Sequence, residues 1–124
     1  MDVSDTRRFC FALDLADDPE LIERYKTWHA PGGPPAPVNR SIRAADIREL
    51  EIWLTGNRLF MIMEVGPGFD PAAKAEADAA DPDVQVWEKL MWEFQRPLPW
   101  AKAGEKWVAM DRIYALSEQP AEPA

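Results

Sequence analysis

From Arg7 to Leu13 bulky and small apolar residues alternate: Phe9, Phe11 and Leu13 fall on one side, Cys10 and Ala12 on the other. A period of two reads as a β-strand with one bulky face. The period then changes. Asp17-Asp18-Pro19-Glu20 is a helix start, with an acidic N-cap, proline at the first helical position and a carboxylate near the positive end of the dipole. Leu21, Ile22, Tyr25, Trp28 and His29 follow at helical spacing, which predicts a helix to Trp28 or His29. Pro31, Gly32, Gly33, Pro34, Pro35 and Pro37 predict an extended or turning loop from Ala30 to Pro37.

Val38 to Ala45 reads as a second, short helix, and Ile47 to Leu54 as a strand with Ile47, Leu50, Ile52 and Leu54 as its apolar members. Thr55-Gly56-Asn57 is a hairpin turn in which Gly56 and Asn57 can take positive φ. Arg58 to Val65 is apolar on both faces, the mark of a central strand. Beyond Gly66-Pro67-Gly68, Asp70-Pro71 and Asp81-Pro82 each open a helix. The first is alanine-rich to about Ala79. The second carries a core stripe of Val84, Trp87, Met91 and Phe94, widened by Val86 and Leu90, and is ended by Pro97 and Pro99. Trp107 to Leu116 is the last predicted strand. Residues 1–5 and 117–124 are expected as flexible ends, leaving a single domain over 6–116.

The order of elements is strand, helices, two-stranded hairpin, helices, strand. Two interleaved split β-α-β units give an α+β fold, a ferredoxin-like four-stranded antiparallel sheet with helices on one face. The other face is left for a dimer partner or for the wall of a ligand cavity.

Composition narrows the partners. The chain has 124 residues and a net charge of -8, which excludes the basic footprint of a nucleic-acid binder and docking on an anionic membrane. Cys10 is the sole cysteine, so an intrachain disulfide is excluded. With neither a signal-like apolar run nor a bilayer-length stretch, a cytoplasmic protein is expected. One histidine, one cysteine and no carboxylate motif argue against a metal site, and no phosphate-binding or dinucleotide glycine pattern argues for a cofactor.

What remains is Tyr25 and His29, one helical turn apart and therefore on one helix face. A phenol beside an imidazole makes a small acid/base pair, and histidine gives and takes a proton near neutrality. Trp87 reads either as core or as a platform for the C–H face of a sugar. Arg7 and Arg8 open the first strand and point to opposite sides of it.

From Arg7 to Leu116 the chain resembles the L-rhamnose mutarotase family, and within it the branch associated with L-fucose. The resemblance rests on Arg-Arg-Phe-Cys-Phe-Ala-Leu-Asp-Leu at Arg7 to Leu15, Tyr25-x-x-x-His29-x-Pro31-Gly32 and Ser41-Ile42-Arg43-Ala44-Ala45. It extends through Glu51-Ile52-Trp53, Gly56-Asn57-Arg58-Leu59-Phe60-Met61, Val86-Trp87-Glu88 and Met91-Trp92. It implies a ferredoxin-like subunit that dimerises through its sheet into a dimeric α+β barrel. It also implies cofactor-free exchange of the α and β anomers of a 6-deoxy-L-hexose pyranose, L-fucose or L-rhamnose. His29 would then be the acid/base residue, with Tyr25, Trp87, Glu88 and Arg7 around the sugar. Members of that family commonly carry Val-Trp-Pro-Glu shortly after the histidine, where this chain has Pro34-Pro35-Ala36-Pro37, and some carry Trp where it has Glu88. Those departures define the alternative expectation, a catalytically weak or inactive sugar-binding dimer of the same fold.

Overall fold

The computed structural model describes residues 7–122. The chain runs β1 (Arg7–Leu15), α1 (Pro19–His29), α2 (Ala36–Ala44), β2 (Ile47–Thr55), β3 (Arg58–Val65), α3 (Pro71–Ala80), α4 (Pro82–Met91), β4 (Gln95–Arg96) and β5 (Val108–Ala109). Strand order is β2-β3-β1-β4, with β5 also on β1, and every pairing is antiparallel. This is the ferredoxin-like order, and β3 lies inside the sheet as its two apolar faces require. The predicted end at residues 1–5 lies outside the described residues. Where the predicted domain meets the predicted C-terminal tail, Leu116–Glu118 forms a single 3-10 turn.

The register sorts side chains by face. Phe9, Phe11 and Leu13 oppose Met63, Met61 and Leu59. Leu50, Ile52 and Leu54 oppose the same three residues from the other side. Opposed residues share a face, and this one carries the helices. Leu15, Leu59, Tyr25, Val38, Trp87, Met91 and Phe94 form one buried cluster, and Ile47, Met63, Val65 and Phe69 a second. Each fully buried member such as Leu59 or Phe94 contributes roughly 1.5–3 kcal/mol by leaving water. The opposite face shows Cys10, Phe60, Ile62 and Trp53, flanked by the Arg8–Glu64 and Asp14–Arg58 ion pairs.

Helix starts follow the predicted chemistry. Asp18 caps α1 by accepting from the amides of Glu20 and Leu21, and Asp81 caps α4 through those of Asp83 and Val84. Asp81 also ends α3, so one residue joins the two helices.

Several expectations need correction. Ala36 and Pro37 belong to α2, not to the loop, because proline is tolerated in a first helical turn. In the hairpin only Gly56 takes positive φ, at 56°. Asn57 instead ties the turn to β1: its Nδ2 donates to the Leu15 carbonyl at 3.0 Å and its carbonyl accepts from the Leu15 amide at 2.7 Å. Asp46 adopts a left-handed φ of 62°, held by a hydrogen bond from the Gly68 amide to its carboxylate at 2.9 Å. α4 stops at Met91, and Phe94 reaches the core from the turn that follows. Val86 does not widen the stripe but is 71% exposed, since a residue next to Trp87 is turned about 100° away from it.

The last strand departs most. Of Trp107 to Leu116 only Val108–Ala109 pairs, against Phe11 and Ala12. The edge of β1 is already occupied at Asp14 and Leu15 by β4, which Pro97 and Pro99 then stop because proline has no amide to donate. Past Met110, whose amide donates to the Cys10 carbonyl at 2.8 Å, the chain leaves the sheet and Ile113 is 95% exposed.

Candidate active site

The last turns of α1 place Tyr25 and His29 together over the sheet. Tyr25 is buried against Leu15, Leu59 and Phe94 in the first core cluster. The two rings lie 4.2 Å apart between centroids at 33°. Trp87 of α4 meets the edge of His29 at 5.5 Å and that of Trp28 at 6.0 Å. The imidazole is thus clamped between a phenol from its own helix and an indole from another.

Its protonation follows from one contact. His29 Nδ1 lies 2.8 Å from the carbonyl oxygen of Tyr25. A carbonyl only accepts, so Nδ1 carries the hydrogen and donates, and the lone pair of the neutral ring is on Nε2. Burial lowers the His29 pKa below its ordinary value, and the bond to the Tyr25 carbonyl opposes that shift without cancelling it. At neutral pH the ring is therefore uncharged, with Nε2 available as a base. Burial also raises the Tyr25 hydroxyl to about 12, against a hydrogen bond from Gln95, while the charge of Glu88 adds to the rise. Tyr25 stays protonated and acts as a donor.

The pair opens on a cavity of about 520 Å³, within the roughly 300–1,000 Å³ usual for small-molecule sites. Leu50, Ile52, Met61 and Met63 of the helix-bearing face are among the sheet residues that line it, and Trp87 and Glu88 line it from α4. The sheet does wall a cavity, but with its covered face, not the open one. Glu88 is anchored by Lys106, whose Nζ is 2.5 Å from Oε2 and also lies over the Trp92 ring at 4.6 Å. The Glu88 side chain keeps 44% exposure, so a polar group stands beside Trp87 at the cavity.

The structure therefore brings together four of the five expected residues: His29, Tyr25, Trp87 and Glu88. Arg7 is not with them. It lies at the start of β1, donates to the Phe69 carbonyl at 3.1 Å and covers the Phe9 ring; Phe69 lines the cavity but Arg7 itself does not. The proline-rich loop does reach the cavity, through Pro34. Its return is fixed by Gly33, where a Cβ would stand 2.2 Å from the Trp28 carbonyl oxygen, so only glycine fits.

Sequence reasoning missed Gln95 and Lys106. Gln95 continues the Trp87, Met91 spacing by four more residues, a phase that a reading confined to apolar positions passes over. Nothing local marks Lys106, which meets Glu88 from 18 residues away. Among the described residues no group of three or more His, Cys, Asp or Glu side chains is placed to hold a metal ion. None of their helices is long and apolar enough to cross a membrane.

A helix-borne histidine and tyrosine facing a cavity in a ferredoxin-like domain place two groups that can exchange protons at one site, and sequence similarity assigns the family. The model of the L-rhamnose mutarotase family matches residues 8–116. The chain belongs to that family. It is 52% identical over 112 residues to an L-fucose mutarotase of Xanthomonas campestris pv. campestris, covering 90% of each chain. It is 35% identical over 120 residues to a UPF0734 protein of Dictyostelium discoideum, covering 94% of each. The crystal structure of an L-rhamnose mutarotase from Formosa agariphila superposes with a TM-score of 0.64 at 16% identity, over 89% of this chain and 98% of that one, a likeness of fold.

Proposed function

We propose that the protein is a mutarotase that interconverts the α and β anomers of a 6-deoxy-L-hexose pyranose, L-fucose ahead of L-rhamnose, with His29 as general acid/base. The observation that carries this is a half-buried His29 whose Nδ1 is held 2.8 Å from the Tyr25 carbonyl, which leaves Nε2 free to act as a base, stacked beside the Tyr25 phenol at a cavity of sugar-binding size. Ring opening needs a proton taken from the C1 hydroxyl and one given to the ring oxygen as the C1–O bond breaks. His29 Nε2 takes the first. The Tyr25 hydroxyl gives the second to a departing alkoxide more basic than a phenolate. The open aldehyde turns about C1–C2, and closure on its other face returns each proton to its source. Atoms and charge balance with neither an oxidant nor a covalent intermediate. Trp87 and the apolar floor suit the C–H face and methyl group of a deoxy sugar, and Glu88 its hydroxyls.

The similarity to an L-fucose mutarotase across nine-tenths of both chains supports L-fucose as the first substrate to try. Saturation-transfer NMR of anomer exchange on L-fucose, L-rhamnose and D-galactose tests the reading. His29→Ala is expected to remove roughly 10²- to 10⁴-fold of the catalysed exchange, the range for one positioned acid/base group. Equal exchange in wild type and variant would sink the assignment.

The working unit in this reading is a homodimer formed through the open sheet face, as a dimeric α+β barrel. Support comes from the apolar centre of that face, where Trp53 is 61% exposed beside Phe60 and Ile62. A free, half-buried Cys10 as the sole cysteine suits a reducing compartment, and we place the protein in the cytoplasm. Sedimentation should show Trp53→Asp shifted towards monomer. An unchanged species would remove the open face as the interface.

A further inference from the structure

We infer that Gln95 is a positioning residue for the anomer exchange, turning the proton of the Tyr25 hydroxyl into the cavity; the inference rests on the mutarotase reading above. Gln95 is 3% exposed, and its Nε2 donates to the Tyr25 hydroxyl oxygen at 3.2 Å. A hydroxyl oxygen that accepts from an amide has its own hydrogen left for another partner. Tyr25 is itself 3% exposed and lies against Phe94 and Leu15. The polar neighbours it faces are on the cavity side, which His29, Glu88 and Gln95 also line. The accepted bond thus excludes the orientation in which the phenol spends its hydrogen on Gln95.

The other end of the amide strengthens the case. Gln95 Oε1 is buried and meets no hydrogen-bond donor among the described residues. A buried, unanswered acceptor costs stability, and a methionine of similar length would fill the same space without one. Among the described residues the side-chain partner of this amide is Tyr25, and that bond is what an apolar replacement would lose. Its backbone is also held where a positioning group needs to be. Gln95 pairs with Leu15 across the sheet edge, and the Phe94 carbonyl just before it accepts from the Ala16 amide at 2.8 Å. A side chain set on a paired strand holds its partner more narrowly than one on a free loop.

The test is a double-mutant cycle of Gln95→Met and Tyr25→Phe, with kcat and KM for L-fucose anomer exchange measured by NMR. Gln95→Met should lower kcat about 10-fold, a fraction of the roughly 10²- to 10⁴-fold of a full acid/base group, with KM changed less than 2-fold. In the Tyr25→Phe background the same substitution should change kcat by less than about 2-fold, because the group it positions is gone. A purely structural glutamine would give the same loss in both backgrounds. Additive losses, or an unchanged kcat in Gln95→Met, would overturn the inference. Gln95→Asn keeps the amide but withdraws it by one methylene, and should give the same kcat loss if the Met variant does not fold. Failure of the mutarotase reading is distinct: wild type itself would then not accelerate exchange.

Discussion

The single histidine makes the pH dependence of this site unusually direct to test. Burial of the ring disfavours imidazolium, so the folded-state pKa of His29 lies below the ordinary value of 6.5, the bond to the Tyr25 carbonyl recovering only part of the loss. If neutral Nε2 is the base, kcat/KM should be level above 6.5 and fall only below the lowered pKa. There it should drop tenfold for each further pH unit, as the neutral fraction does. Linkage gives a second sign. Between 6.5 and the lowered folded pKa the unfolded chain binds a proton that the folded one refuses. The His29 contribution to stability is therefore full above 6.5 and is lost as pH falls through that window. The assay pairs anomer exchange with a proton-NMR titration of the one imidazole. The kinetic and spectroscopic midpoints should coincide, both below 6.5. A titration midpoint at or above 6.5 would refute the burial argument, and an acid limb of exchange that does not follow the imidazole would refute the assignment of the base.

Other perturbations follow from the same geometry. Trp87→Ala removes a buried indole that packs on both Trp28 and His29, and should cost about 3–5 kcal/mol in urea unfolding together with most of the exchange activity. Asp81→Ala deletes the cap of α4, with an expected loss of about 0.5–2 kcal/mol by the same measurement and little change in KM. Lys106→Met frees the Glu88 carboxylate from its anchor and should raise KM for the sugar more than it lowers kcat, read from substrate dependence of NMR exchange.

What was legible in the sequence was local. Asp18-Pro19 and Asp81-Pro82 marked helix starts because capping is decided within four residues. Tyr25 and His29 could be paired from spacing alone because one helical turn sets their proximity. The two faces of Arg58–Val65 gave away its place between β1 and β2. The misreadings are competitive or long-range. Trp107 to Leu116 has the composition of a strand, but Gln95–Arg96 takes part of the same edge first. No local rule weighs one claimant against another. Arg7 was expected at the site, and the hydrogen bond that holds it runs to the Phe69 carbonyl 62 residues away, a partner that no local rule indicates. Gln95 reaches Tyr25 across 70 residues, a contact that only the folded sheet edge creates.

The lone thiol has a practical consequence. Cys10 opposes Ile62 near the middle of the open sheet face, between the two flanking ion pairs. It is half-buried and free. If the open face is the dimer interface proposed above, a thiol there is a built-in footprint: alkylation by a small reagent should be brisk in dilute protein and slow as concentration rises, with no label or engineered site required. The rate plotted against protein concentration gives a dissociation constant for whatever covers the face. On the same proposal a bulky adduct at Cys10 would hold two copies apart, while the cavity lies on the other side of the sheet.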